Sequence, residues 1–381
     1  LGHWPKAANL EFFETNHGGK IPLGIHRTVV PAAPDAWIKV LSNFGTMSFG
    51  DVASTAIKYA REGFTVHPTM ANFLFRYREN YKLWPSNQAI WHRDGHPLKE
   101  GDLLVQTDLS NSIQYMVDEE AAASSKGRQA GLKAARDAFY IGDIAKKIIH
   151  FHKENGGLLT AEDLSNYSTP IEEPLSIKYR DINIYSCKPW CQGPVLLQML
   201  RILEGFDLPK LGHNSVDYIH TIAETIKLAF ADRETFYGDP DFVKVPLKQF
   251  LSREYNRERS KEISNQASLE LKPGKISGFE VRMPEFDSSG RGDERFSAMG
   301  IGEPTVSKKG ETRGDTCHVD VVDRWGNMVS ATPSGGWLQS SPVIPELGFC
   351  LNSRAQMFWL QEGLPATLAP GKRPRTTLTP S

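Results

Sequence analysis

Apolar residues recur every three to four positions between residues 34 and 64. Asp35 precedes Ala36, Trp37, Val40 and Leu41, and from Phe49 to Gly63 the spacing returns with Val52, Ala56 and Ala60 before a terminating Gly63; both stretches predict helices. A further helical stretch, from Ala130 to Gly156, carries Ile144, Ile148 and Ile149. The period then changes. Leu175 to Ser186, LSIKYRDINIYS, alternates apolar and polar positions around Arg180-Asp181, which predicts two paired strands. Val195 to Leu203 returns to helix, and Ser215 caps a longer helix whose Ile219, Ile222, Ile226 and Phe230 fall on one face, directed at a core.

Residues 273–315 lose all periodicity and fill with Gly, Pro, Ser and charges, the composition of a mobile or processed segment and the one clear internal boundary. The Arg291-Gly292-Asp293 triplet inside it reads as loop. Directly after it, TCHVDVVD from Thr316 to Asp323 sets Cys317, Val319 and Val321 on one face of a strand and Thr316, His318 and Asp320 on the other. Arg324-Trp325-Gly326-Asn327 reads as a turn, and Met328 to Thr332 as the returning strand. The expectation is a buried hairpin that begins with a threonine.

Composition narrows the chemistry. The 381 residues are 40% hydrophobic, enough for two domains or one large layered unit, and 44 Lys+Arg nearly balance 45 Asp+Glu. Without a basic stripe interleaved with aromatics, nothing draws the chain to nucleic acid or to an anionic membrane, and no run approaches the ~20 apolar residues of a membrane span. A small molecule is the expected partner. Of the cysteines Cys187, Cys191, Cys317 and Cys350, the first two are spaced for neither a Cys-x-x-Cys redox pair nor a zinc set, and read as ordinary thiols. His150 and His152 lack the spacing of a helical metal pair, and no phosphate-cradling glycine loop occurs. No cofactor and no metal are expected, and the compartment stays open.

A threonine hydroxyl is a poor nucleophile until a base takes its proton. An N-terminal threonine carries that base in its own α-amine, which titrates near ~7.7–8.0 and is partly neutral at physiological pH. The amine exists only after the Asp315–Thr316 bond is cut, for which the expected route is attack of the Thr316 hydroxyl on the Asp315 carbonyl. On spacing alone, a strand-forming threonine is the plainer reading of Thr316.

The surrounding sequence reverses that judgement. GDTCHVDVVDRWGNMVSATPSGG (314–336) resembles the start of the small subunit in the γ-glutamyltransferase family. Upstream, FYIGDIAKKI (139–148), GGLLTAEDLSNY (156–167), EEPLSIKYR (172–180), LLQMLRILEGFDL (196–208) and IKLAFADRETFYGDPDFV (226–243) resemble its large subunit in the same order. The resemblance implies an α+β fold, the four-layer αββα sandwich of N-terminal-nucleophile (Ntn) hydrolases, with 1–315 as the large-subunit part and 316–381 opening the small subunit. It also implies a fragment of a longer precursor, since the family has a stretch before LGHWPKAANLEFF and a Gly-Gly oxyanion segment after PRTTLTPS (374–381). Large and small subunits of one precursor associate in this family, which leaves room for a homodimer of heterodimers.

Residue by residue, the resemblance makes Thr316 the nucleophile and Ser334 a second hydroxyl that orients it; the bland reading of Ser334 is a turn residue in Pro333-Ser334-Gly335-Gly336. Thr376 and Thr377 fall on a hydroxyl pair that holds a substrate carboxylate, and would otherwise pass for strand threonines. The departures concern glutamate recognition. In GFCLNSRAQMFWL (348–360), Arg354 and Met357 stand where the family places polar and acidic ligands of the α-amino group; Gly336 replaces a polar contact; and in LEFFET (10–15), Phe13 stands at the arginine that holds the α-carboxylate. The implied enzyme cleaves γ-glutamyl or related amide bonds through an acyl-enzyme and passes the acyl group to water or an amine. The rivals are an acylase or amidohydrolase of the same fold on another substrate, and a catalytically dead homologue with a binding role.

Overall fold

A computed structural model describes residues 2–284, 316–335 and 338–381. The chain divides into two compact units, one of Leu1–Pro170 with Gly335–Ala355 and the other of Ile171–Ser334 with Gln356–Ser381. Asp315, Gly336, the Arg-Gly-Asp triplet and most of the 273–315 stretch lie outside the described residues.

The first unit is mainly helical. Ala33–Phe44 and Phe49–Glu62 form where predicted, but the faces differ. Trp37, Val40 and Val52 point to solvent, whereas Ile38, Phe49, Ala53 and Ile57 enter the core. The Phe49 helix begins with a reciprocal cap between Ser48 and Asp51. Its first amides, on Phe49 and Gly50, donate to the buried Glu120 carboxylate at 2.7 and 2.8 Å, which satisfies N–H groups that have no partner within the helix. The predicted 130–156 stretch is two helices, Arg128–Tyr140 and Asp143–Glu154, broken at Ile141-Gly142. Leu132, Phe139, Ile144 and Ile148 pack with Ile344, Leu347 and Leu351, so residues from beyond Thr316 complete this core. Polar contacts tie the same segment in: Asn87 donates to the Ser341 carbonyl at 3.0 Å and accepts from the Val343 amide at 2.6 Å. Asn352 and the Val29 backbone exchange two hydrogen bonds, at 3.1 and 2.7 Å.

The second unit opens with the predicted hairpin, Leu175–Tyr179 paired with Ile182–Ser186. Arg180 takes the left-handed conformation at its turn, φ 53°. The helices Gly193–Leu203, Val216–Phe236 and Arg253–Ser260 follow. Ser215 caps the long helix as expected by accepting from the Tyr218 amide, yet Ile219 and Ile226 on the predicted core face are exposed, and Leu228, Ala229, Asp232 and Phe236 are buried instead. The reason lies in Asp232, around which the interior is organised: its carboxylate accepts from Gln198 at 2.6 Å, Tyr255 at 2.8 Å and the Gly274 amide at 2.6 Å, and faces Arg259 at 3.4 Å. A buried carboxylate is tolerated only with such a set of partners. Among the described residues every sheet is a two-stranded ribbon.

Candidate active site

The ribbon after residue 315 pairs Val319–Val322 with Met328–Ala331 in antiparallel register, Val319 opposite Ala331. Its turn is closed by the Gly326 amide donating to the Asp323 carbonyl, with Gly326 at φ 84°, a conformation that suits glycine. The Asp323 carboxylate reaches across the turn and accepts from the Trp325 and Asn327 amides, both at 2.9 Å. The expectation of a buried hairpin fails: Val322 is 67%, Trp325 74% and Met328 77% exposed. Alternation determines which residues share a face, but not which face, if either, is covered.

Continuing the register past the strand ends sets Thr316 opposite Ser334. Their hydroxyl oxygens lie 3.3 Å apart. The next pair on that face is His318 and Thr332, Nδ1 to Oγ1 at 2.8 Å, while His318 Nε2 meets the Asp320 carboxylate at 2.8 Å. An ionised carboxylate only accepts, so Nε2 carries a proton and a neutral ring accepts from the Thr332 hydroxyl through Nδ1. Hydrogen bonds from Ser330 and then His318 hold the Asp320 carboxyl below the usual carboxylate range. Thr316, His318 and Asp320 thus face Ser334, Thr332 and Ser330 as one polar row. The sequence placed His318 and Asp320 on this face without a role. Cys317 is on the other face, its thiol directed at the Pro333 carbonyl.

Ser330 also accepts from the Ser381 amide at 3.2 Å, so the end of the 376–381 segment reaches the polar row. Thr376 is buried; its amide donates to the Trp190 carbonyl at 2.9 Å and its carbonyl accepts from Arg233 at 3.2 Å. The Thr376 hydroxyl, by contrast, is buried without a hydrogen-bond partner among the described residues. The Thr377 carbonyl accepts from the Gln192 side chain at 3.1 Å. Just upstream, Arg373 grips Asp239 through Nη2 at 2.7 Å and Nε at 3.1 Å, and Arg375 forks onto Glu234 at 2.8 Å to each oxygen. Sequence reasoning missed these arginines. The only signal in the sequence was the basic Lys372-Arg373-Pro374-Arg375 run itself; its acidic partners Glu234 and Asp239 lie more than a hundred positions earlier.

Thr316, Ser334, Thr376 and Thr377 belong to the second unit; Phe13 and Arg354 belong to the first. Phe13 is fully buried in the Leu10–His17 helix, against Trp4 and Phe12 with ring centroids at 5.7 and 5.1 Å. Arg354, also buried, opens the short turn Arg354–Met357, and its amide donates to Asn352 Oδ1 at 3.2 Å. A surface depression of about 300 Å³ lined by Gly50, Ser54, Lys58, Arg61 and Gln114 contains none of these residues. Among the described residues no group of three or more His, Cys, Asp or Glu is placed to hold a metal ion.

The sequence profile of the family described as gamma-glutamyltranspeptidase matches residues 2–381. The glutathione hydrolase proenzyme of Escherichia coli is 31% identical, over 90% of this chain and 53% of that protein. An acylase ACY 1 proenzyme of a Pseudomonas species is also 31% identical, over 94% of this chain and 56% of its own length. The chain thus spans about half the length of these curated relatives. The crystal structure of a cephalosporin acylase from Bacillus halodurans superimposes with a TM-score of 0.78 at 27% identity, covering 99% of this chain and 62% of that one. The fold is the α+β fold of the Ntn hydrolases, and the chain belongs to the gamma-glutamyltranspeptidase family.

Proposed function

We propose that the protein is an N-terminal threonine hydrolase and acyltransferase, matured by a cut before Thr316, that opens γ-glutamyl or related amide bonds. The observation that carries this reading is the Thr316–Ser334 hydroxyl pair at 3.3 Å, set at the head of a ribbon in a chain of this family. After the cut, the free α-amine of Thr316 takes the proton of its own hydroxyl, and Ser334 orients the oxygen. The oxygen adds to the amide carbonyl, the C–N bond breaks, and the leaving amine departs with the proton. Water or an amine then displaces the acyl group from Thr316. The two products of the cut stay together, a reading supported by Ile344, Leu347 and Leu351, which pack into the core of residues from before it.

Thr376 and Thr377 are the proposed hydroxyl pair for a substrate carboxylate. The buried Thr376 hydroxyl with no partner among the described residues supports this role, because such a group is costly unless something completes it. For the acyl group, a carboxylate-bearing chain without an α-ammonium is favoured. Arg354 and Met357 stand at the family's polar and acidic ligands of an α-ammonium; two like charges at ~4 Å repel by about 4 kcal/mol at an intermediate effective dielectric, whereas a guanidinium binds a carboxylate through two parallel hydrogen bonds. Phe13 offers no polar atom. The relatives include both branches at equal identity, 31% to a glutathione hydrolase proenzyme and 31% to an acylase proenzyme, so the choice rests on Arg354 and Phe13.

Comparison of kcat/KM for a glutaryl anilide and a γ-glutamyl anilide at neutral pH tests the choice. The glutaryl compound should be cleaved faster, and Arg354→Gln should narrow the gap. A clear preference for the γ-glutamyl compound restores ordinary glutamate recognition and removes Arg354 from this role.

A further inference from the structure

Gln192 stands at the N-cap of the Gly193–Leu203 helix, a place where Ser, Thr, Asp or Asn ordinarily accepts from an amide of the first turn. Its side chain makes no capping hydrogen bond to its own helix. It reaches across the unit instead: Nε2 donates to the Thr377 carbonyl at 3.1 Å, and the Gln192 backbone amide donates to the next carbonyl, that of Leu378, also at 3.1 Å. A carbonyl oxygen only accepts, which sets the side-chain amide with its nitrogen toward Thr377. One residue, standing where local propensity would place another, thus holds two successive carbonyls of a segment that lies 185 positions away.

These bonds close a frame around Thr377. The peptide before it is held through the Thr376 carbonyl, which accepts from Arg233 Nη2 at 3.2 Å, and Thr376 is tied down further by its amide, which donates to the Trp190 carbonyl at 2.9 Å. The peptide after it is held by Gln192 Nε2, with a longer contact from the Thr379 hydroxyl at 3.5 Å. Peptide units are planar, so fixing the carbonyls on both sides of the Thr377 Cα fixes its φ and ψ, and with them the direction of the Cα–Cβ bond. A β-branched side chain has few χ1 wells, so the hydroxyl follows the backbone. Arg233 is buried in the Val216–Phe236 helix, and Trp190 is pinned by its indole N–H, which donates to Glu172 at 2.8 Å. The Gln192 side chain is the neutral, half-buried member of the frame, and its removal strands no buried charge.

We propose that Gln192 is a positioning residue for substrate binding, which holds the Thr377 hydroxyl in the orientation that receives a substrate carboxylate. The inference rests on the reading of Thr376 and Thr377 as the carboxylate pair, and adds to it the element that sets the pair's geometry. Two hydroxyls serve one carboxylate well only if both O–H directions converge on it, because bent hydrogen bonds weaken steeply. The Thr376 side is preset by burial and by two backbone bonds. The Thr377 side is half-buried and leans on Gln192. Presetting it lowers the ordering cost of binding. The hydroxyls grip the substrate away from its reacting carbonyl, in ground state and transition state alike, so the loss of Gln192 should appear in KM more than in kcat.

The test compares the full-length, matured protein with two variants: Gln192→Met, which keeps the length of the side chain and removes the donor, and Gln192→Glu, which keeps its shape and sets an acceptor against the Thr377 carbonyl. The substrates are glutaryl anilide and pentanoyl anilide, the same acyl chain with a methyl group in place of the carboxylate. Gln192→Met should raise KM for the glutaryl compound about 3- to 10-fold, the worth of one hydrogen bond, with kcat within about two-fold. Gln192→Glu should raise that KM further, and in both variants the preference for glutaryl over pentanoyl should shrink in step. A merely structural role predicts equal loss of kcat/KM on both anilides; that result, or no loss on either, overturns the inference. Thr377→Val separates this inference from the reading beneath it. If Thr377→Val abolishes the glutaryl preference and Gln192→Met keeps it, Gln192 loses its role and the threonine pair stands. If Thr376→Val and Thr377→Val both leave the preference intact, the pair falls, and the role of Gln192 with it.

Discussion

The Val319–Ala331 ribbon and the Lys372–Thr377 segment lie in one unit, yet different forces hold them. The ribbon leaves valines of both strands exposed and keeps its polar face aligned through paired hydroxyls, an imidazole and a carboxylate that water also reaches. The Lys372–Thr377 segment is almost entirely buried and is locked by charge. Arg373 binds Asp239 and also meets Asp241 at 2.9 Å and Glu172 at 3.2 Å; Arg375 binds Glu234; and Lys372 donates to the Pro365 and Thr367 carbonyls at 2.7 and 2.9 Å. Exposed pairs contribute little to stability, while breaking a buried one strands a charge. Changes in the ribbon should therefore alter chemistry and spare the fold, and changes in the buried segment should do the reverse.

The contrast can be broken in order of expected effect. Thr316→Ala should lower kcat by about 10⁴-fold or more while the protein stays folded by circular dichroism; a modest loss would move the nucleophile elsewhere. Arg373→Met leaves Asp239 without its main cation and should cost about 3–5 kcal/mol in urea unfolding, with turnover per folded molecule within a factor of a few. Equal loss of both would mean that the segment takes part in the chemistry directly. Ser334→Ala should lower kcat by about 10- to 100-fold with little change in KM, the worth of one orienting hydrogen bond, and Ser334→Thr should recover most of it.

The smallest effect concerns pH. Burial pushes the Lys372 ammonium down to about 8 from 10.5. Its folded-state pKa is below the unfolded one, so between those values the unfolded chain binds more protons and stability rises with pH. Relative to Lys372→Met, wild type should gain up to about 1.4 kcal/mol per pH unit from pH 8 upward. Parallel stability curves would show that the ammonium is solvated.

The sequence made the local devices of this fold legible. The Arg180-Asp181 turn, the Ser215 cap and the pairing of the 316–332 strands all follow from neighbouring residues and appear as read. Burial was legible only in part, because it depends on what arrives from elsewhere in the chain. Ile219 and Ile226 promised a core face, but that helix turns inward the side bearing Asp232, whose partners Gln198, Tyr255 and Gly274 come from other elements. The same limit hid the arginines of the 372–375 run, whose acidic partners lie more than a hundred positions earlier. At the site, the Thr316–Ser334 pair came through the family resemblance and fits the strand register. The partnering of His318 with both Thr332 and Asp320 needed coordinates.

The central claim is that Thr316 becomes a chain terminus. Intact-mass spectrometry and N-terminal sequencing of the purified full-length protein decide it. The account predicts two chains, the smaller beginning Thr-Cys-His-Val, and a single chain for Thr316→Ala. A wild-type protein that remains one chain while hydrolysing its substrate would contradict it.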